Sequence, residues 1–451
     1  MTMKPEMSAS VPFPQDQRVL QSMMDWAEQL IIDGPDPRNG ARPSSHFTGT
    51  LGQTITPDGM GWEQAFALFT DEIVPSTRPF HHPTSLSFVA AAPSPASLGL
   101  DAALGAAEIF AGNWDGGSGA IYAENQALSW LAKLAGWPES AGGVFVSGGT
   151  LGNLSALHAA RVGWSGPRPD RFAILCSTEA HSSIRAVASV MDVDMVEVAT
   201  DPEGRIRLDE AAAALAAHDG IFAIVANAGA TNCGAVDDLR GLTDLARQYG
   251  IWCHVDGAYG LAAMADPEAR PVFDGIEQAD SFVVDPHKWL FAPYDSCALV
   301  YRDPSRGAAA HGQRGAYLDT LDHDAWNPSD FALHLSRRAR GLPFWFSLAA
   351  YGERAYATAI RQTLDTAGKI AEGIAATDGL DLVLGPQLSV LLFRAVSHDA
   401  GALAAWAETN RRSGALLCLP TTWHGETVLR ICVVNPSTDP DEVLAVLRTL
   451  Q

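Results

Sequence analysis

Ser281-Phe282-Val283-Val284-Asp285-Pro286-His287-Lys288-Trp289 is the stretch on which the reading of this chain turns. A short run of strand-forming residues stops abruptly at a polar cluster, so a buried strand would carry an amine at its carboxyl end. Alone, Lys288 reads as a solvated surface charge. In a dry site the ammonium is disfavoured, the lysine pKa falls, and the neutral amine can form a Schiff base with a carbonyl. The choice between these readings depends on what neighbouring strands bring to the same edge.

Upstream the same rhythm repeats. Residues 144–146, 172–176, 195–198, 221–226 and 251–255 are predicted strands, and 282–284 and 298–301 close the series. Helical patterns at 151–162, 208–217 and 239–249 separate them. Repeated strand–helix units predict an α/β fold with a mostly parallel sheet and helices on both faces. Residues 307–330 are polar, rich in Gly and Asp and without period, which predicts a loop or lid. Helical patterning resumes near residue 341, and 390–393 and 428–433 read as strands of a smaller C-terminal α+β domain. The expected organisation is an N-terminal arm and helical segment (1–78), a large domain (79–340) and a small domain (341–451).

Composition narrows the function. With 52 acidic against 30 basic residues and a net charge of −22, the chain has little with which to neutralise phosphates. Nucleic acid and anionic membranes are therefore not expected partners. No apolar run is long enough to span a bilayer, and residues 1–14 lack a basic stretch followed by an apolar one. Cys176, Cys233, Cys253, Cys297, Cys418 and Cys432 form no CxxC pair and read as buried thiols, with no metal site. A reduced, cytoplasmic protein is the expectation.

Ligands of an open α/β sheet bind beyond the carboxyl ends of its strands, where the remaining polar residues fall. Gly148-Gly149-Thr150 follows strand 144–146. A glycine turn, open N–H groups, a helix dipole and a hydroxyl suit a phosphate, or make a plain tight turn. His181 follows strand 172–176 and could stack on a flat aromatic cofactor or cap a helix. Asp256 ends strand 251–255 and could hold a protonated pyridine nitrogen or cap a helix, while Ala258 leaves room for a ring. With the Lys288 amine, these are the parts needed to hold pyridoxal 5′-phosphate (PLP).

On these residues the chain resembles the PLP-dependent group II amino acid decarboxylases, which include aromatic-L-amino-acid and glutamate decarboxylases. The resemblance is carried by Ala279-Asp280-Ser281, Pro286-His287-Lys288-Trp289, and His254-Val255-Asp256-Gly257-Ala258-Tyr259. Leu335-Ser336-Arg337-Arg338-Ala339-Arg340 and Leu429-Arg430-Ile431-Cys432-Val433-Val434-Asn435-Pro436 add to it. It implies the aspartate-aminotransferase-like fold (fold type I) and a homodimer with sites at the subunit interface. It also implies a carboxy-lyase activity, loss of the α-carboxylate of an L-amino acid as CO2. By the resemblance Lys288 forms the imine, His181 stacks on the ring and Asp256 pairs with its nitrogen. Gly149, Thr150 and Asp285 lie at the phosphate, Thr231 and Ala258 beside the ring, and His287 at the catalytic site. His81, His82 and Phe88, in the region that shapes the family's pocket, are the substrate candidates and lean towards an aromatic side chain.

Two departures stand out. Two glycines replace bulkier residues at the phosphate turn. The family often carries a loop tyrosine that helps protonate the carbanion, yet Ala325-Trp326-Asn327-Pro328-Ser329-Asp330 has none, and Tyr317 is the nearest. The missing phenol motivates an alternative outcome, decarboxylation with oxidative deamination to an aldehyde. An aminotransferase or a non-catalytic scaffold are the remaining readings.

Overall fold

The computed structural model describes residue 13 and residues 15–90, 92–312 and 325–450. Two compact units divide the chain, one ending at Pro79 and the other beginning at Phe80. In the first, the amphipathic helix Gln17–Asp33 is capped by Asp16, whose carboxylate accepts from the N–H of Arg18 and Val19. Its Trp26 packs edge-on against Phe66 and Phe69, at ring distances of 6.0 and 5.3 Å.

Strands apolar at every position, rather than at alternate ones, need cover on both faces. The second unit supplies it. β1 (Gly142–Val146), β2 (Ala173–Ser177), β3 (Asp194–Val198), β4 (Ile221–Asn227), β5 (Trp252–Asp256), β6 (Ser281–Val284) and β7 (Cys297–Tyr301) form one sheet in the order β1-β7-β6-β5-β4-β2-β3. The pairs β2–β3, β2–β4, β4–β5 and β5–β6 are parallel. β7 runs antiparallel to both β1 and β6. The link from β6 to β7 contains no helix to carry the chain back across the sheet, so β7 reverses direction.

Side-chain alternation splits the apolar residues between two cores. Val255, Phe282 and Val284 belong to one; Trp252, Val283 and Leu299 belong to the other. Helix Gly149–Val162 lies so close to the second face that a Cβ on Gly152 would sit 2.6 Å from Val283 Cγ1. Glycine is required there by contact.

β8 (Leu380–Gln387), β9 (Val390–Ala395), β10 (Leu419–Trp423) and β11 (Glu426–Cys432) make an antiparallel sheet in the order β10-β11-β9-β8. Residues 84–87 are tied to it: Leu86 N–H donates to Leu417 C=O, and Cys432 N–H donates to Leu86 C=O. That tie brings Ser87 and Phe88 beside β11. Arg337, from the arginine-rich segment, makes a two-pronged ion pair with Glu124 of helix Trp114–Leu134, at 2.6 and 2.8 Å. Both side chains are buried, so each needs the other.

The expected loop over 307–330 needs correction. Pro304–His311 is a helix, started by the Asp303 carboxylate and a first-turn proline. Residues 313–324, Tyr317 among them, lie outside the described residues. Beyond them Trp326 stacks on Phe331 at 4.3 Å and donates to Gly143 C=O, so this flank is packed structure. All six cysteines are buried free thiols. Among the described residues, no helix is long and apolar enough to cross a membrane.

Candidate active site

The carboxyl ends of β1, β2, β4, β5 and β6 converge on one cavity of about 400 Å³, large enough for a small cofactor. β1 leads through Gly148 into helix Gly149–Val162, whose N-terminus has no side-chain cap. Gly148, Gly149 and Thr150 therefore turn open backbone and a hydroxyl to the cavity. Beyond β2, His181 both lines the cavity and caps helix Ser182–Met191, its Nδ1 accepting from Ser183 N–H at 3.2 Å. Thr231 follows β4, Asp256 ends β5, and Ala258 follows it. Asp285, His287 and Lys288 follow β6. Chain positions more than 140 residues apart thus meet, because strand order sets them side by side.

Charge is organised around Asp285. Its Oδ2 lies 3.0 Å from Lys288 Nζ and 3.5 Å from His287 Nε2, with Asp285 nearly inaccessible. Burial works against the Asp285 carboxylate, but Lys288 and His287 outweigh it and hold its pKa below the ordinary value. Burial also works against the Lys288 ammonium. Asp285 and then Asp256 outweigh that, so the Lys288 pKa lies above the usual lysine value. The sequence-based expectation of a lowered pKa is corrected: two carboxylates face the amine, and in the coenzyme-free chain their field beats desolvation. His287 is shifted down by burial against the pull of Asp285. Its Nδ1 accepts from Ser296 N–H at 3.0 Å, which leaves the proton on Nε2, towards Asp285. Tyr294 adds to the wall with its ring 4.8 Å from that of His287.

A second cavity of about 390 Å³ shares His181 and Thr231 with the first. Phe88 lines it, as do Leu419, Pro420 and Arg430. Of the substrate candidates only Phe88 is there. His81 lines a separate cavity with Phe291 and Tyr356, and His82 folds back on Thr84, Nδ1 to Oγ1 at 2.8 Å. The pairing of residues 84–87 with the small sheet turns Phe88, and neither histidine, towards the site.

Arg430 of β11 lies in the segment 429–436, where sequence alone assigns it no role. It is buried, donates from Nη1 to Ser87 C=O, and leaves Nε and Nη2 without a hydrogen-bond partner among the described residues. An unpaired buried guanidinium is costly and calls for an anion. The clue in the sequence was a lone cation inside the apolar run of β11. Asn153 was missed as well; it donates to Asp256 Oδ2 at 2.9 Å from within helix Gly149–Val162.

The donor set fits PLP. The uncapped helix start with Thr150 would hold the phosphate, Lys288 the aldehyde carbon, His181 a ring face and Asp256 the ring nitrogen. Space has been left as well: a Cβ on Gly149 would come within 3.2 Å of Ala258 Cβ and 3.4 Å of Asp285 Oδ2.

Comparison with known proteins agrees with this geometry. The family model described as the pyridoxal-dependent decarboxylase conserved domain matches residues 51–396. The aromatic-L-amino-acid decarboxylase of Bacillus atrophaeus is 28% identical, over 94% of this chain and 93% of its own. The L-2,4-diaminobutyrate decarboxylase of Rhizobium meliloti is also 28% identical, over 96% of this chain and 91% of its own. Among solved structures, that of Oryza sativa TDC with PLP and tryptamine superposes with a TM-score of 0.88 at 22% identity, covering 98% of both chains. The fold is that of fold type I, and the chain belongs to the pyridoxal-dependent decarboxylases, PLP-dependent carboxy-lyases that act on amino acids.

Proposed function

We propose that this chain, as a cytoplasmic homodimer, removes the α-carboxylate of an aromatic L-amino acid as CO2 and releases the amine. One observation carries the reading: Lys288, Asp256 and His181 line a single cavity. When bound, PLP supplies an electron sink for the pair left on Cα as the carboxylate departs. Lys288 supplies the amine for its aldehyde. Asp256 keeps a proton on the ring nitrogen, and His181 covers the ring. His287 lines the same cavity beside Lys288, with its Nε2 3.5 Å from Asp285 Oδ2. Phe88, Leu419 and Pro420 give the substrate side chain an apolar wall, which suits an aromatic ring.

CO2 release is the test, screened across the common L-amino acids and L-2,4-diaminobutyrate with PLP added and peroxide measured in the same wells. Release should be greatest with aromatic substrates. A maximum with diaminobutyrate or glutamate overturns the substrate assignment, and keto acid without CO2 overturns the reaction. Aldehyde with peroxide would support the second reading, oxidative deamination. That reading is favoured by residues 325–330, which hold no tyrosine and whose Trp326 and Asn327 side chains are engaged in packing and hydrogen bonds.

Arg430 offers its two unpartnered N–H-bearing nitrogens to the substrate carboxylate. Arg430→Met keeps the bulk of the side chain without the charge. It should raise KM on the order of tenfold to a hundredfold, the size of a hydrogen-bonded charge interaction, with a smaller effect on kcat. Steady-state kinetics with the best substrate of the screen measure both, and an unchanged KM would refute this role.

A further inference from the structure

Along β5 alternate side chains share a face, so Trp252, His254 and Asp256 line up under helix Gly149–Val162. In the parallel register His254 stands opposite Ser281 of β6. These groups join in a buried chain of hydrogen bonds. Trp252 Nε1 lies 2.8 Å from Ser281 Oγ, and Ser281 Oγ 2.8 Å from His254 Nδ1. His254 Nε2 lies 2.9 Å from Asn153 Oδ1, and Asn153 Nδ2 is 2.9 Å from Asp256 Oδ2 and 3.1 Å from Ser183 Oγ.

Chemistry fixes the direction of every bond. A carboxylate oxygen accepts, so Asn153 turns its NH2 to Asp256 and its carbonyl to His254. Nε2 of His254 must then carry hydrogen. Burial lowers the His254 pKa to about 4, which leaves the imidazole neutral and Nδ1 an acceptor for the Ser281 hydroxyl. Ser281 in turn accepts from Trp252. From Trp252 through Ser281, His254 and Asn153 the donors run towards Asp256, with the second Asn153 N–H going to Ser183, and such chains reinforce themselves where water is absent. The other Asp256 oxygen accepts from Ala258 N–H at 3.2 Å, so two bonds fix the plane of the carboxylate.

Resting on the reading of the cavity as the coenzyme site, we propose that Asn153 and His254 are positioning residues that aim the Asp256 carboxylate at the coenzyme's ring nitrogen. His254 is fully buried and does not line the cavity, while Asn153 lines it beside Asp256, and both act through the Asp256 carboxylate. Their work is to hold one orientation of Asp256 before the coenzyme arrives, which is how a supporting shell improves a site.

Titration of the coenzyme-free chain with PLP alone, followed by its absorbance, tests this. Asn153→Leu and His254→Leu should each raise the dissociation constant about tenfold, the worth of one hydrogen bond to a charged group. His254→Gln restores an N–H where Nε2 stood and should stay within about twofold of the unmodified chain. Melting curves accompany each variant. Asn153→Ser, which also removes the amide, replaces a leucine variant that fails to fold and is held to the same tenfold expectation. Leucine variants that bind PLP within twofold of the unmodified chain overturn the relay, as does a His254→Gln variant as weak as His254→Leu. An unmodified chain that gives no saturable change with PLP overturns the coenzyme site itself, an outcome distinct from both.

Discussion

Lys288→Ala is expected to abolish the long-wavelength absorbance of added PLP and to lower CO2 release at least about a thousandfold, as loss of a covalent catalyst does. The side chain does more than react. Its Nζ is 3.0 Å from Asp285 Oδ2, and Asp285 is buried, so alanine strands a carboxylate. A second loss should follow, in thermal stability, of about 1–3 kcal/mol for the unpaired acid. Lys288→Arg separates the two roles. The guanidinium keeps a cation beside Asp285 but does not lose its proton, so it cannot serve as the amine. Stability should largely return in the arginine variant while turnover stays lost. Spectra, turnover and melting curves of the two variants decide it. Normal turnover by either removes Lys288 from the reaction, and equal melting of alanine variant and parent removes the ion pair with Asp285.

The same pair shows where sequence reading stops. Burial of Lys288 could be inferred only from the polar residues that neighbouring strands bring to the same edge, and burial alone lowers a lysine pKa. The sign changed because the turn after β6 places Asp285 against Nζ, a matter of geometry. Most of the large sheet was legible because six of its seven strands are buried along their length and read as largely apolar runs, edge strand β3 alone being partly exposed. β8 and β10 were not. They are the two edges of the small sheet, partly exposed, and carry Gly385 with Pro386, and Pro420, residues an edge tolerates and a pattern search discards. Strand ends revealed Lys288, Asp256 and His181, since the position of an α/β cleft follows from topology, whereas Thr231 was carried by the family resemblance. Arg430 and Asn153 stayed hidden because their partners are far away in sequence: 343 residues separate Arg430 from Ser87, and 103 separate Asn153 from Asp256. The two histidines at 81 and 82 looked suited to a substrate, but residues 84–87 pair with the small sheet, and Phe88 rather than either histidine lines the cavity that shares His181 and Thr231.

Asp256→Asn should cut kcat by on the order of a hundredfold to a thousandfold, matching the ~3–5 kcal/mol cost of removing one partner from a buried charged pair. The substitution preserves shape. It removes the charge that would keep a proton on the ring nitrogen, and with it the pull on electrons released from Cα. Shape is not the whole of the change, because both Asp256 oxygens accept: Oδ2 from Asn153 and Oδ1 from Ala258 N–H. An amide has one acceptor oxygen, so one of these bonds breaks or the new NH2 faces a donor. PLP affinity should therefore fall as well, though less than turnover, because Lys288 and the phosphate turn at Gly149 and Thr150 remain intact. Asp256→Ala loses the same charge and both acceptors and should bind PLP more weakly still. Three quantities decide the matter: kcat at saturating coenzyme, the PLP dissociation constant and the melting temperature. A kcat within tenfold of the parent, in a variant that folds and binds PLP, would show that the ring nitrogen needs no carboxylate and would detach Asp256 from the chemistry.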